Sequence, residues 1–256
     1  MLWRKHFCYQ LILCLLLSNA KALPFDLENY RVSSGGLLDI QDGAFIEGSS
    51  SQGGIQPDYR IDLGSEPLRS YLLRCKAIGN LILPFWQKVE MILELTANDY
   101  FHYSDYHNPY YRRLLKQYRK SGTDVPLSEY GVSAAGVCRE YALVLHFGLK
   151  AAGIGNKFAY AKIYRASNYN HYRIVEDHAF NVVSFQGVEW VVDAYYWGFN
   201  GFRLDDLLRG PGISEESLSA PIAAPQPGTR KILYFNDFPR VYNPLPVQSC
   251  ARILSK

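Results

Sequence analysis

The stretch His178-Ala179-Phe180-Asn181-Val182-Val183-Ser184-Phe185-Gln186-Gly187-Val188-Glu189-Trp190-Val191-Val192-Asp193 decides how the chain is read. Two runs of β-branched and aromatic residues flank a Gln-Gly pair, the pattern of an antiparallel hairpin closed by a two-residue turn. Such a turn sets Phe185 opposite Val188, Phe180 opposite Asp193 and His178 opposite Tyr195. Side chains alternate between faces along a strand, so His178, Phe180, Asp193 and Tyr195 share one face. His178 and Asp193 become diagonal neighbours, with Cα atoms roughly 7–8 Å apart, within reach of a carboxylate–imidazole hydrogen bond. An aspartate placed there fixes the tautomer of the histidine and favours its cationic form.

Upstream of the hairpin, Lys157 to Tyr164 reads as a further strand, and the second hairpin strand extends to Ala194. Before these strands, Arg139 to Ala152 is rich in helix formers, and Gly153 stands where a helix C-terminal cap belongs. Cys138 therefore lies at the mouth of a helix. Unpaired N–H groups and the positive end of the helix dipole favour a thiolate there, and the thiolate is the nucleophilic form. A nucleophilic thiol needs a base, and the base an orienting group, which the hairpin offers as His178 and Asp193. The other histidines compete poorly: His102, His107 and His171 stand in polar loop sequence, His146 within the helix, and His6 near the N-terminus. No His-Glu-x-x-His or Cys-x-x-Cys spacing points to a metal, and neither a phosphate loop nor a Gly-x-Ser-x-Gly elbow is present. No metal or cofactor is expected.

Further outward, helical spacing from Leu72 to Leu95 is interrupted at Pro84 and predicts two helices. Residues 99–120 are Tyr-rich and end in a basic helix, Arg112 to Lys120. The cluster reads first as half-buried packing, with a cleft for peptide or glycan as the alternative. Residues 23–69, rich in Gly and Ser, read as a leader or surface-hugging arm ahead of a domain spanning 70–208. A Pro/Gly-rich connector follows at 209–230, and a tail at 231–256 carries Tyr234, Phe235, Phe238 and Tyr242, suited to docking on the domain.

The chain has 256 residues, 48% hydrophobic and 20% charged, a globular composition. Its formal charge of +3 comes from 27 basic against 24 acidic residues, and the first 22 residues hold Arg4, Lys5 and Lys21 with no acid. The remainder is balanced and has no long basic run, which speaks against a nucleic-acid partner. Arg4-Lys5, an apolar stretch from Phe7 to Leu17 and Ala20-Lys21-Ala22 have the layout of an export signal over residues 1–22. The expected mature protein is secreted or periplasmic, without a membrane anchor. Cys8 and Cys14 would leave with the signal, so Cys75, Cys138 and Cys250 remain, an odd number in an oxidising compartment.

Three motifs in order, Gly136-Val137-Cys138-Arg139-Glu140-Tyr141-Ala142, His178-Ala179-Phe180-Asn181-Val182-Val183 and Gly187-x-Glu189-Trp190-Val191-Val192-Asp193, resemble the transglutaminase-like superfamily over about residues 125–200. The resemblance implies an α+β, papain-like fold: a helical N-terminal part, and a catalytic cysteine at a helix start packed on an antiparallel sheet. It implies Cys138 as nucleophile, His178 as general base and acid, and Asp193 as orienter, acting on protein or peptide amides as a protease, deamidase or transglutaminase. Some relatives stabilise the oxyanion with a glutamine or aromatic side chain upstream of the cysteine; no Gln lies within a dozen residues before Cys138, so the Cys138 N–H is the proposed donor. Trp86, Tyr100 and Tyr103 are candidate substrate-binding residues by location. Exported bacterial relatives that act as proteases often carry Asp-Cys-Glu-Asp-Tyr, whereas this chain has Val137-Cys138-Arg139-Glu140-Tyr141. With Cys138 as nucleophile, a disulfide between Cys75 and Cys250 is the complementary expectation. The rival functional class is an inert binding module on the same fold, presenting the Tyr-rich segment to peptides or glycans.

Overall fold

A computed structural model describes residues 27–48, 50–51, 54–55, 57–103, 105–166, 172–197, 200–207, 231–235 and 239–246. Along the chain, a short 3₁₀ turn precedes six brief strands, β1 (Tyr30–Ser34), β2 (Leu37–Leu38), β3 (Phe45–Ile46), β4 (Ser50–Ser51), β5 (Gly54–Ile55) and β6 (Tyr59–Arg60). Helices α1 (Leu68–Gly79) and α2 (Phe85–Glu94) run into a π-helical turn at Leu95–Tyr100, followed by α3 (Pro109–Ser121), β7 (Val125–Pro126) and α4 (Leu127–Val132). Helix α5 (Cys138–Ala151) leads into β8 (Asn156–Ala166), β9 (Tyr172–Phe185) and β10 (Val188–Val192). A short α6 (Leu204–Leu207), β11 (Lys231–Phe235) and β12 (Arg240–Pro244) complete the series. The architecture is α+β.

Local chemistry explains the boundaries. Pro84 separates α1 from α2, as the sequence predicts, because it cannot donate to a helical ladder. Asn108 caps α3 by accepting the N–H groups of Tyr110 and Tyr111, with Pro109 in the first turn and Gly122 at φ 69° ending it. Gln186 (φ 51°) and Gly187 (φ 75°) both adopt positive φ, the requirement of a type I′ turn. That turn sets the predicted register: Phe185 pairs with Val188, Val183 with Trp190 and Asn181 with Val192.

The main sheet has the order β10-β9-β8-β11, with β2 also paired to β8, and every pairing is antiparallel. One of its faces carries Phe158, Tyr160, Ala179, Val183 and Val192 into the principal core with α5; Ala159, Ala161, Phe180, Val182 and Val191 form a smaller core with Leu204 and Leu207 of α6. Helix α5 is buried at every position from Cys138 to Leu149, so it is enclosed on all sides. Helix α1 lies so close that a Cβ on Gly148 would fall 2.1 Å from the Tyr71 hydroxyl.

The Gly/Ser-rich segment behaves differently from the expected leader or surface arm. Ile40, Ala44, Phe45, Ile46, Tyr59 and Ile61 are buried, and β1, β3 and β6 build a second sheet, β1-β12-β3-β6-β7. From the tail, β11 pairs with β8, and β12 with both β1 and β3. Residues 1–22 and 209–230 lie outside the described residues. Among the described residues, no helix is long and apolar enough to cross a membrane.

Candidate active site

Cys138 is the first residue of α5 and 6% exposed. Its turn is clamped from both sides. Glu140 reaches back so that Oε2 accepts the Val137 N–H at 2.8 Å, satisfying one of the orphan donors of a helix start. Its Oε1 accepts the Tyr59 hydroxyl in a short hydrogen bond. Buried Arg139 lies over the Tyr59 ring, 4.5 Å from its centroid, with Nε 3.7 Å from Glu140 Oε1. On the other side, the Ala134 carbonyl accepts the N–H groups of His102 and Tyr103 at 2.9 and 3.1 Å, and the Gly136 N–H donates to the Tyr103 carbonyl at 3.0 Å. Ala134 holds φ 46°, an uncommon conformation for a residue with a Cβ, and Gly136 has no room for one, because it would sit 2.9 Å from the Phe101 ring.

His178 and Asp193 come together as the hairpin register requires. His178 Nε2 donates to Asp193 Oδ2 at 2.5 Å, with both side chains buried. The second carboxylate oxygen accepts the N–H groups of Tyr195 and Tyr196 at 2.8 and 3.0 Å. Asn200 then grips the Asp193 main chain, accepting its N–H at 2.7 Å and donating to its carbonyl at 2.8 Å. The carboxylate is thereby fixed in position and rotation. The Tyr196 ring covers the imidazole at 4.7 Å between centroids.

With Nε2 engaged by Asp193, the buried Nδ1 is the nitrogen left for the Cys138 thiol, which lies near enough to help raise the imidazole pKa. Burial alone pulls an imidazole pKa down. Here the adjacent Asp193 charge, the Asp193 hydrogen bond and the contact with Cys138 outweigh burial and push His178 up to about 10. The imidazole keeps its proton across the neutral range. Two phenols share this environment. Burial foremost, with the Cys138 sulfur also contributing, pushes the Tyr106 and Tyr160 hydroxyls well above the usual phenol range, so both remain neutral donors. Tyr106 belongs to the aromatic cluster picked out in the sequence; Tyr160, on β8, had no local signal.

The other predicted residues divide. Tyr103 is 43% exposed, stacks on Tyr110 at 5.6 Å and lies beside the Cys138 loop through its main chain. Trp86 is half-buried, edge-on to Trp190 at 5.7 Å, and lines a cavity with Val192 and Asn200, which flank Asp193 and grip it. Tyr100 is a core residue, 7% exposed, with its ring 5.1 Å from Tyr71 and 4.9 Å from Phe101. The extra residue per turn of the π-helical segment turns it inward, away from any cleft. Cys75 is fully buried on α1, pushed up to about 12 by burial, and in no disulfide among the described residues; Cys250, its expected partner, lies outside them. No group of three or more His, Cys, Asp or Glu suited to hold a metal ion occurs among the described residues.

Neither a family model nor a curated protein matches the sequence. Among solved structures, the chain is similar to the crystal structure of a "putative cysteine protease" from Cytophaga hutchinsonii, with 16% identity, coverage of 69% of each chain and a TM-score of 0.31. A similarity that weak assigns no activity to this chain.

Proposed function

We propose that the protein is a thiol-dependent acyl-transfer enzyme acting on protein or peptide amides through Cys138, His178 and Asp193. One observation carries this reading: a cysteine at a helix N-terminus lies beside a histidine whose Nε2 holds a buried, fully clamped aspartate. The Cys138 sulfur attacks the amide carbon, forming a C–S bond while the carbonyl π pair moves to oxygen. The Cys138 N–H and the neutral hydroxyls of Tyr106 or Tyr160 are the available donors to that oxyanion. Collapse breaks the C–N bond, and His178 delivers its proton to the departing nitrogen. Water, losing a proton to His178, then attacks the thioester and releases the thiol. An amine in place of water gives a transamidated product. The buried site agrees with this chemistry, since low dielectric strengthens the ion pair it uses. The protein is read as exported after removal of residues 1–22, without a nucleic-acid partner.

The test is alkylation by iodoacetamide near neutral pH, followed by mass spectrometry of peptides incubated with the protein. The expected outcome is selective modification of Cys138 faster than a free cysteine. Peptide cleavage, deamidation or crosslinking should disappear in Cys138→Ala. Product formation that persists in Cys138→Ala overturns the mechanism.

A further inference from the structure

A cavity of about 320 Å³ lies between α2 and the loop that follows Asp193. This is within the range of small-ligand sites, roughly 300–1,000 Å³. Trp86, Val89, Glu90 and Leu93 line one wall, and their spacing of three, one and three residues puts them on a single stripe of α2. Trp197 and Asn200 belong to the opposite wall. Trp197 is 46% exposed, so an indole stands at the rim where an incoming group would meet it.

The lining has a definite chemistry. Two indoles and three aliphatic side chains, Val89, Leu93 and Val192, suit a hydrocarbon stem, and indole faces attract cations through their quadrupole. The acid is Glu90, which has no ion-pair partner among the described residues. A neutral apolar ligand would leave that carboxylate unused, and an anion would be repelled by it. A cation on an aliphatic stem satisfies the walls and the acid together. We infer that this cavity takes the lysine or arginine side chain of the polypeptide on which the enzyme acts, with the stem between Trp86 and Trp197 and the cationic head at Glu90. The source of the cation rests on the acyl-transfer reading; the recognition chemistry does not. Asn200 places the subsite directly behind Asp193, because the residue lining the cavity is the one gripping the Asp193 main chain.

The experiment uses the full chain carrying Cys138→Ala, so that binding is measured without turnover and independently of the mechanism. N-acetyl-lysine methylamide and its neutral isostere N-acetyl-norleucine methylamide are titrated while the tryptophan indole N–H resonances are followed by NMR. The expected result is at least tenfold tighter binding of the lysine compound, with shifts at Trp86 and Trp197. Glu90→Gln, an exposed substitution, should reduce the preference to about onefold, and Trp197→Ala should weaken the lysine compound about tenfold. Equal binding of the two compounds, binding of neither, or a lysine preference that survives Glu90→Gln each overturns the proposal. Free n-pentylamine distinguishes the source: binding much weaker than the lysine compound supports a side chain within a polypeptide, and equal binding overturns that assignment. Loss of acyl transfer in the wild-type protein with lysine binding intact would refute the mechanism and leave the subsite standing.

Discussion

His146 and His178 are both fully buried, yet their imidazoles are driven in opposite directions. On α5, His146 Nδ1 donates to the Asn156 side-chain oxygen at 2.7 Å, and Nε2 accepts the Ile40 N–H at 3.2 Å. One donor and one acceptor are satisfied without charge. Burial, with Lys150 nearby, lowers its pKa to about 4. His178 meets a buried carboxylate and a thiol, and rises to about 10. Burial is common to both sites, so the partner decides the sign: Asp39, 3.7 Å from His146 Nε2, is partly exposed and paired with Lys150, which leaves that imidazole to desolvation, whereas the buried, hydrogen-bonded Asp193 overrides it. The first is a structural clasp tying α5 to β8 and to the N-terminal segment, and the second has the features of a catalytic base.

The largest break in this contrast is removal of the nucleophile. Cys138→Ala is expected to lower any acyl-transfer rate by on the order of 10⁴-fold or more, measured as kcat on a peptide substrate. Next, Asp193→Asn should make His178 resemble His146. Its pKa, read by NMR titration of the imidazole, is expected to fall from about 10 to below the ordinary value of 6.5. The rate should drop about 10³-fold. An imidazole that still titrates near 10 would show that Asp193 is not the controlling charge.

Stability against pH carries the same contrast with mirrored slopes. His178, raised in the folded state, contributes stability that is fully present below 6.5 and is lost as pH rises through about 10. His146, depressed in the folded state, contributes stability that is present above 6.5 and is lost as pH falls toward about 4, an effect of about 3 kcal/mol. Urea midpoints across this range should show both limbs. His146→Gln, which can keep a donor and an acceptor in the clasp, should flatten the acid limb while leaving the alkaline one. Smallest of all, Asn200→Ala should lower kcat by about tenfold with little change in KM, because it loosens Asp193 and removes no reacting group. A purely structural role would lower the thermal midpoint without moving the kcat pH profile.

Much of the candidate site is legible in the linear chain because its rules are local. A Gln-Gly turn fixes register, register fixes facing pairs, and the helix start at Cys138 follows from the residues after it and from Gly153. The supporting groups obey no such period. Tyr59 reaches Glu140 across 81 residues, from a two-residue strand too short to show alternation. The run Ala44-Phe45-Ile46 and the isolated Ile40, Tyr59 and Ile61 were the available signal that residues 23–69 carry core, outweighed by the Gly/Ser-rich stretches around them. Asn200 stands only seven residues beyond Asp193, but its grip depends on an irregular loop. Tyr100 shows the converse: composition grouped it with the exposed Tyr103, and one π-helical turn sent it into the core.

By itself, then, the sequence determined the hairpin, the break at Pro84, the helix that begins at Cys138 and the pairing of His178 with Asp193, because each depends on side-chain alternation, turn chemistry or capping within a few residues. Tertiary structure alone decided how the N-terminal segment joins the sheets, what clamps Glu140 and Asp193, and why two equally buried histidines carry opposite charge preferences. Those properties depend on which groups lie within a few ångströms across distant parts of the chain, and electrostatics acts through that distance.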